Sequence, residues 1–140
     1  MKVPEIKPNS SATVQKLITE ADTALHLGSG ALKTLLATPT LSALMIEAAV
    51  KAVDHQLPKG LITIGKTLTI THNEPTTQGM TVTVKAKLIE VSGNRLRFNI
   101  YAYDEIGLIG SGCHDRYIVS HQGILKTAED RKTKLFNPVV

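Results

Sequence analysis

Met80, Val82, Val84, Ala86 and Leu88 alternate with Thr81, Thr83, Lys85 and Lys87, a period of two that suits a β-strand with one buried face. The alternation recurs on both sides of this segment. Ile62, Ile64, Leu68 and Ile70 alternate with Thr63, Gly65, Thr67, Thr69 and Thr71, and Leu96, Phe98, Ile100 and Ala102 alternate with Arg95, Arg97, Asn99 and Tyr101. Turn residues separate these runs at Pro75 to Gly79, at Ser92-Gly93-Asn94 and at Asp104-Glu105-Ile106-Gly107, and a last strand is predicted over residues 108–120. Residues 12–18 make an earlier strand with a polar face. Between the first strand and the other four the period changes: Leu41, Leu44, Met45, Ala48 and Ala52 fall at helical spacing. Thr38 is expected as the N-cap of that helix with Pro39 at its first position, and Leu57-Pro58-Lys59-Gly60 ends it after about Gln56.

One strand, one long helix and four strands joined by short turns define an α+β architecture, an antiparallel sheet wrapped around one central helix. The four later strands are expected to be antiparallel neighbours. Such a sheet has open edges, and pairing two copies edge to edge would close one edge of each, so a homodimer is expected, with larger oligomers left open.

The 140 residues fit a single domain with its core over about residues 12–120 and a C-terminal tail over about 121–140. Hydrophobic residues make up 42% of the chain and charged residues 20%, the balance of a soluble globular protein. No apolar run approaches the roughly 20 residues that cross a bilayer, and the start MKVPEIKPNSS lacks the apolar stretch of a signal peptide. No membrane association and a cytoplasmic location are therefore expected. Cys113 is the only cysteine, which excludes an intrachain disulfide and a thiolate cluster for zinc. The net charge of +4 is spread along the chain, with Lys126, Arg131, Lys132 and Lys134 making the tail locally basic. The aromatic residues form no RNA-binding signature, so nucleic acid is not an expected partner.

Several short segments carry a more specific message. Gly28-Ser29-Gly30, Ala37-Thr38-Pro39, Gly65, Thr71-His72, Gly79-Met80-Thr81-Val82-Thr83-Val84 and Gly110-Ser111-Gly112-Cys113-His114-Asp115-Arg116, in this order and spacing, resemble the fluoroacetyl-CoA thioesterase family of hotdog-fold proteins. The resemblance spans roughly residues 12–120. It implies hydrolysis of a small or medium acyl-CoA thioester at a dimer-interface site, without metal or cofactor. By resemblance, Thr38 and His72 hold two of three catalytic positions, Gly65 is where the backbone approaches the acyl group, and Arg116 matches an arginine of the last strand. Arg116 could instead pair with Asp115 of a second subunit.

The third catalytic position is a helix glutamate, and here the chain departs from the pattern. Carried over without a gap, that glutamate falls on Ile46, and the only nearby carboxylate is Glu47. Neighbouring helical residues are rotated by about 100°, so Glu47 would take over only through a shift of register such as a π-bulge. In that event Glu47 is base or nucleophile, His72 assists at the carbonyl or in proton transfer, and Thr38 orients water or the carboxylate. The alternative is a non-catalytic hotdog protein that binds acyl-CoA or an acyl carrier and has lost its glutamate. Cys113 and His114 are read as strand residues rather than nucleophile or metal ligand, and Gly110 and Gly112 as places of close packing. The family's preference for fluoroacetate does not carry over, because part of the acyl-group wall is expected from residues 21–37.

Overall fold

The computed structural model describes residues 2–137. Its elements are β1 (Ser11–Leu17), α1 (Thr38–Val53), β2 (Leu61–His72), β3 (Thr81–Ser92), β4 (Arg95–Tyr103), β5 (Leu108–Ser120) and α2 (His121–Thr133), with short 3₁₀ turns at Glu20–Asp22 and Asp54–Gln56. The strands form one antiparallel sheet in the order β1-β3-β4-β5-β2. The helical stripe expected from sequence, Leu41, Leu44, Met45, Ala48 and Ala52, is buried against Val82, Val84, Leu96, Phe98 and Ile100 of the sheet. Helix on sheet is thus the two-layer arrangement that the change of period implied.

Two expectations need correction. The four later strands are not all neighbours in sequence order: β2 pairs with β5, and β3 pairs with β1 and β4. The short turns after β3 and β4 make hairpins, whereas the longer connection after β2 is tied to the segment preceding α1, where Leu36 N donates to Thr76 O at 2.8 Å and Gln78 N donates to Thr34 O at 2.7 Å. The second correction concerns the helix start. Ala37 is the N-cap, and Thr38 is already helical. The carbonyl of Asp22 accepts from Ala37 N at 3.0 Å and from the Thr40 hydroxyl at 2.9 Å, so backbone and Thr40 secure this end and leave the Thr38 hydroxyl free.

β2 also differs from its sequence pattern. Its pairing with β5 slips by one residue between Gly65 and Thr67, which leaves Lys66 as a bulge. A bulge inverts the in/out alternation beyond it. Leu61, Leu68 and Ile70 therefore pack against the core and Thr63 is buried, while Ile62 and Ile64 stay outside the core cluster. The tail beyond β5, left without a structure by the sequence pattern, is helical in α2, capped by the Ser120 hydroxyl accepting from Gly123 N at 3.0 Å. No residue of α2 is buried. Among the described residues, no helix is long and apolar enough to cross a membrane.

Candidate active site

The bulge at Lys66 puts His72 on the helix-facing side of β2, opposite Gly110 of β5. Gly110 is small for a reason: a Cβ there would stand 2.6 Å from Thr71 O and 3.5 Å from the Leu41 side chain. A Cβ on Gly112 would stand 2.9 Å from Met45 Sδ. The two glycines thus let β5 lie close under α1, as expected, and bring the end of β2 to the start of the helix. There Thr38 Oγ1 and His72 Nδ1 are hydrogen-bonded at 2.8 Å. The other ring nitrogen, Nε2, is buried and has no partner. Burial pushes the His72 imidazole below its usual pKa, partly opposed by the backbone of Glu74.

Thr38 and His72 line a cleft of about 280 Å³ with an apolar wall of Leu32, Leu35 and Leu36. Glu74 and Pro75 also line it and border a wider hollow of about 660 Å³ that includes Met80, Leu108 and Ile109. The helix start adds a favourable field, because the N-terminus of an α-helix carries partial positive charge that stabilises an anion forming beside it.

Gly65 and Arg116 lie in a different place, beside the other half of β2. Arg116 is 6% exposed, and Nε donates to Thr63 Oγ1 at 2.8 Å while Nη2 donates to Thr63 O at 2.7 Å. The Thr63 hydroxyl in turn donates to Asp54 Oδ1 at 2.6 Å. Nη1 of Arg116 lies 3.3 Å from His114 Nε2, and His114 Nδ1 lies 2.7 Å from Thr67 O. Both contacts are satisfied when Nδ1 carries the proton of a neutral ring. Burial lowers the His114 pKa, with a further push from the Arg116 charge, against the opposing Thr67 bond. A Cβ on Gly65 would meet His114 Cε1 at 3.2 Å and Arg116 Nη1 at 3.3 Å, so this glycine makes room for the pair. Asp115 is engaged in its own chain by Arg97, at 2.9 and 3.2 Å.

The structure brings Thr38 and His72 together and leaves Glu47 apart. α1 is a regular α-helix from Thr38 to Val53, with no π-turn. Glu47 is exposed, and nine residues beyond Thr38 it leaves the helix about 180° around the axis from that residue. Ile46 is 38% exposed. Sequence reasoning passed over Glu74, whose only signal was a carboxylate two residues beyond His72, and Asp54 and Thr63, whose contact with Arg116 no spacing discloses.

A sheet of this order curled around one long helix, with a polar pair at the helix start, defines a hotdog-fold protein. A hot-dog-like protein from Thermanaerovibrio acidaminovorans superposes with a TM-score of 0.82 at 25% identity, over 89% of this chain and 91% of that one. The family described as fluoroacetyl-CoA-specific thioesterase matches residues 18–122, and the chain belongs to it. The fluoroacetyl-CoA thioesterase of Streptantibioticus cattleyicolor is 38% identical over 85 residues, which is 61% of each protein's length. A variant of the fluoroacetyl-CoA-specific thioesterase FlK, solved with fluoroacetate and CoA, superposes with a TM-score of 0.79 at 30% identity, over 84% of this chain and 98% of that one.

Proposed function

We propose that this protein hydrolyses small or medium acyl-CoA thioesters in the Thr38–His72 cleft and does so as a homodimer. The carrying observation is His72: one ring nitrogen is held by Thr38 at 2.8 Å and the other is buried without a partner. A buried polar atom left unsatisfied is costly, and a substrate atom would relieve that cost. When the Thr38 hydroxyl donates to Nδ1, the proton of the neutral ring sits on Nε2. It can then donate to the thioester carbonyl oxygen as negative charge develops there. Thr38 positions the ring, and the start of α1 adds its field to the same anion.

The dimer reading rests on β2. This strand of 12 residues is an edge of the sheet, and beside it α1 exposes Ile46. A long bare edge with apolar neighbours is a template for pairing with a second copy. Gly65, exposed on that edge with Arg116 behind it, would then face a thioester approaching across the interface.

The test is CoA release from a panel of acyl-CoA thioesters. Replacing His72 by Ala is expected to lower kcat by about 10²- to 10⁴-fold, the usual contribution of a positioned acid–base group. The second reading, a binding protein without turnover, is favoured by Ile46, which cannot ionise. It would show as saturable acyl-CoA binding with no CoA released by the wild type.

A further inference from the structure

The Thr38–His72 pair supplies a donor for the carbonyl oxygen and nothing that activates water. The acidic residue among those lining the cleft is Glu74. Its backbone is fixed there: Ile109 O accepts from Asn73 N at 2.8 Å and from Glu74 N at 3.1 Å, which turns the chain immediately after His72. Among the described residues no cation sits within ion-pair distance of its carboxylate. The residue is exposed, so water reaches its side chain.

We propose that Glu74 is the general base of this site, a role that rests on the thioesterase reading above. Glu74 takes a proton from water as the water oxygen bonds to the thioester carbon, while His72 Nε2–H donates to the carbonyl oxygen. Collapse of the tetrahedral intermediate breaks the carbon–sulfur bond. Glu74 returns its proton to the departing sulfur, giving CoA thiol, and the carboxylic acid product ionises into solvent. Glu74 thus provides from the β2–β3 connection the carboxylate that α1 does not place in this cleft.

The experiment measures kcat and KM for wild type, Glu74→Gln, Glu74→Ala and Glu47→Gln on the best thioester of the panel, with thermal unfolding as a control. The expected result is a fall of about 10²-fold or more in kcat for Glu74→Gln with KM and unfolding temperature nearly unchanged. Added formate should recover part of the lost rate in Glu74→Ala, because a small carboxylate can occupy the vacated space; a purely structural role would show no such rescue. Wild-type kcat in both Glu74 variants overturns the assignment and leaves the thioesterase reading standing. Collapse of kcat in Glu47→Gln with Glu74→Gln fully active moves the base to α1 and overturns it as well. A wild type inert toward every thioester removes the thioesterase reading and the role of Glu74 together.

Discussion

The β2–β5 ladder carries two histidine sites, one at its His72–Gly110 end and one near its middle, where His114 pairs with Leu68, and the two are built from similar parts. His72 and His114 both face the helix, and burial pushes both pKa values down. The difference lies in their partners. His114 has Thr67 O at one nitrogen and Arg116 at the other, and Arg116 continues through Thr63 to Asp54. His72 has Thr38 on one side and an unpaired Nε2 on the other. A buried polar network with every member satisfied holds the strands in register, whereas a buried group missing one partner is prepared to bind one. Each guanidinium nitrogen of Arg116, matched by family resemblance to an arginine of the last strand, thus has a partner inside its own chain.

This contrast can be broken by mutation, starting with the closed network around Arg116. Arg116→Met strands His114, Thr63 and Asp54 at once and is expected to cost about 3 kcal/mol of stability, read as a lower urea midpoint. By comparison, His72→Ala, which should remove most turnover, is expected to change the unfolding free energy by less than about 1 kcal/mol, since it breaks a single hydrogen bond at an open cleft. For Gly65→Ala the expected loss lies below that of Arg116→Met. Its new methyl would press on His114 at 3.2 Å and Arg116 at 3.3 Å, costing about 1 kcal/mol, read again as a lower urea midpoint.

The smallest effect is in pH. Both folded-state histidine pKa values lie below that of the unfolded chain, about 6.5. The unfolded state therefore binds more protons, so this stability is fully present above about pH 6.5 and is lost as pH falls through the folded pKa values. Urea unfolding across this range should show stability declining with acid, and the decline should be shallower in His72→Ala. An unchanged slope in that variant would assign the whole effect to His114.

Much of the fold was legible in the chain because periodicity is a local property. The helical stripe from Leu41 to Ala52 and the alternation from Val82 to Leu88 each fix which face is buried, whatever the rest of the molecule does. The Thr71-His72 and Ala37-Thr38-Pro39 segments likewise marked a strand end and a helix start, and family resemblance gave both a catalytic position. Strand order was not legible, since it depends on the path of the long β2–β3 connection across the segment before α1.

The site was less legible still. The bulge at Lys66 reverses the alternation of β2, so Gly65 and His72, of opposite parity in the sequence, share the helix-facing side. No alternation pattern reveals such an inversion, because it arises from pairing with a strand about fifty residues away rather than from the local chain. The amino-acid sequence by itself determined the elements, their buried faces and the family. Only the tertiary structure decided that Thr38 meets His72, that Arg116 is enclosed by Thr63 and His114, and that Glu74 borders the cleft while Glu47 faces away. Those outcomes depend on distances between segments remote in sequence, which sheet pairing and helix packing set together.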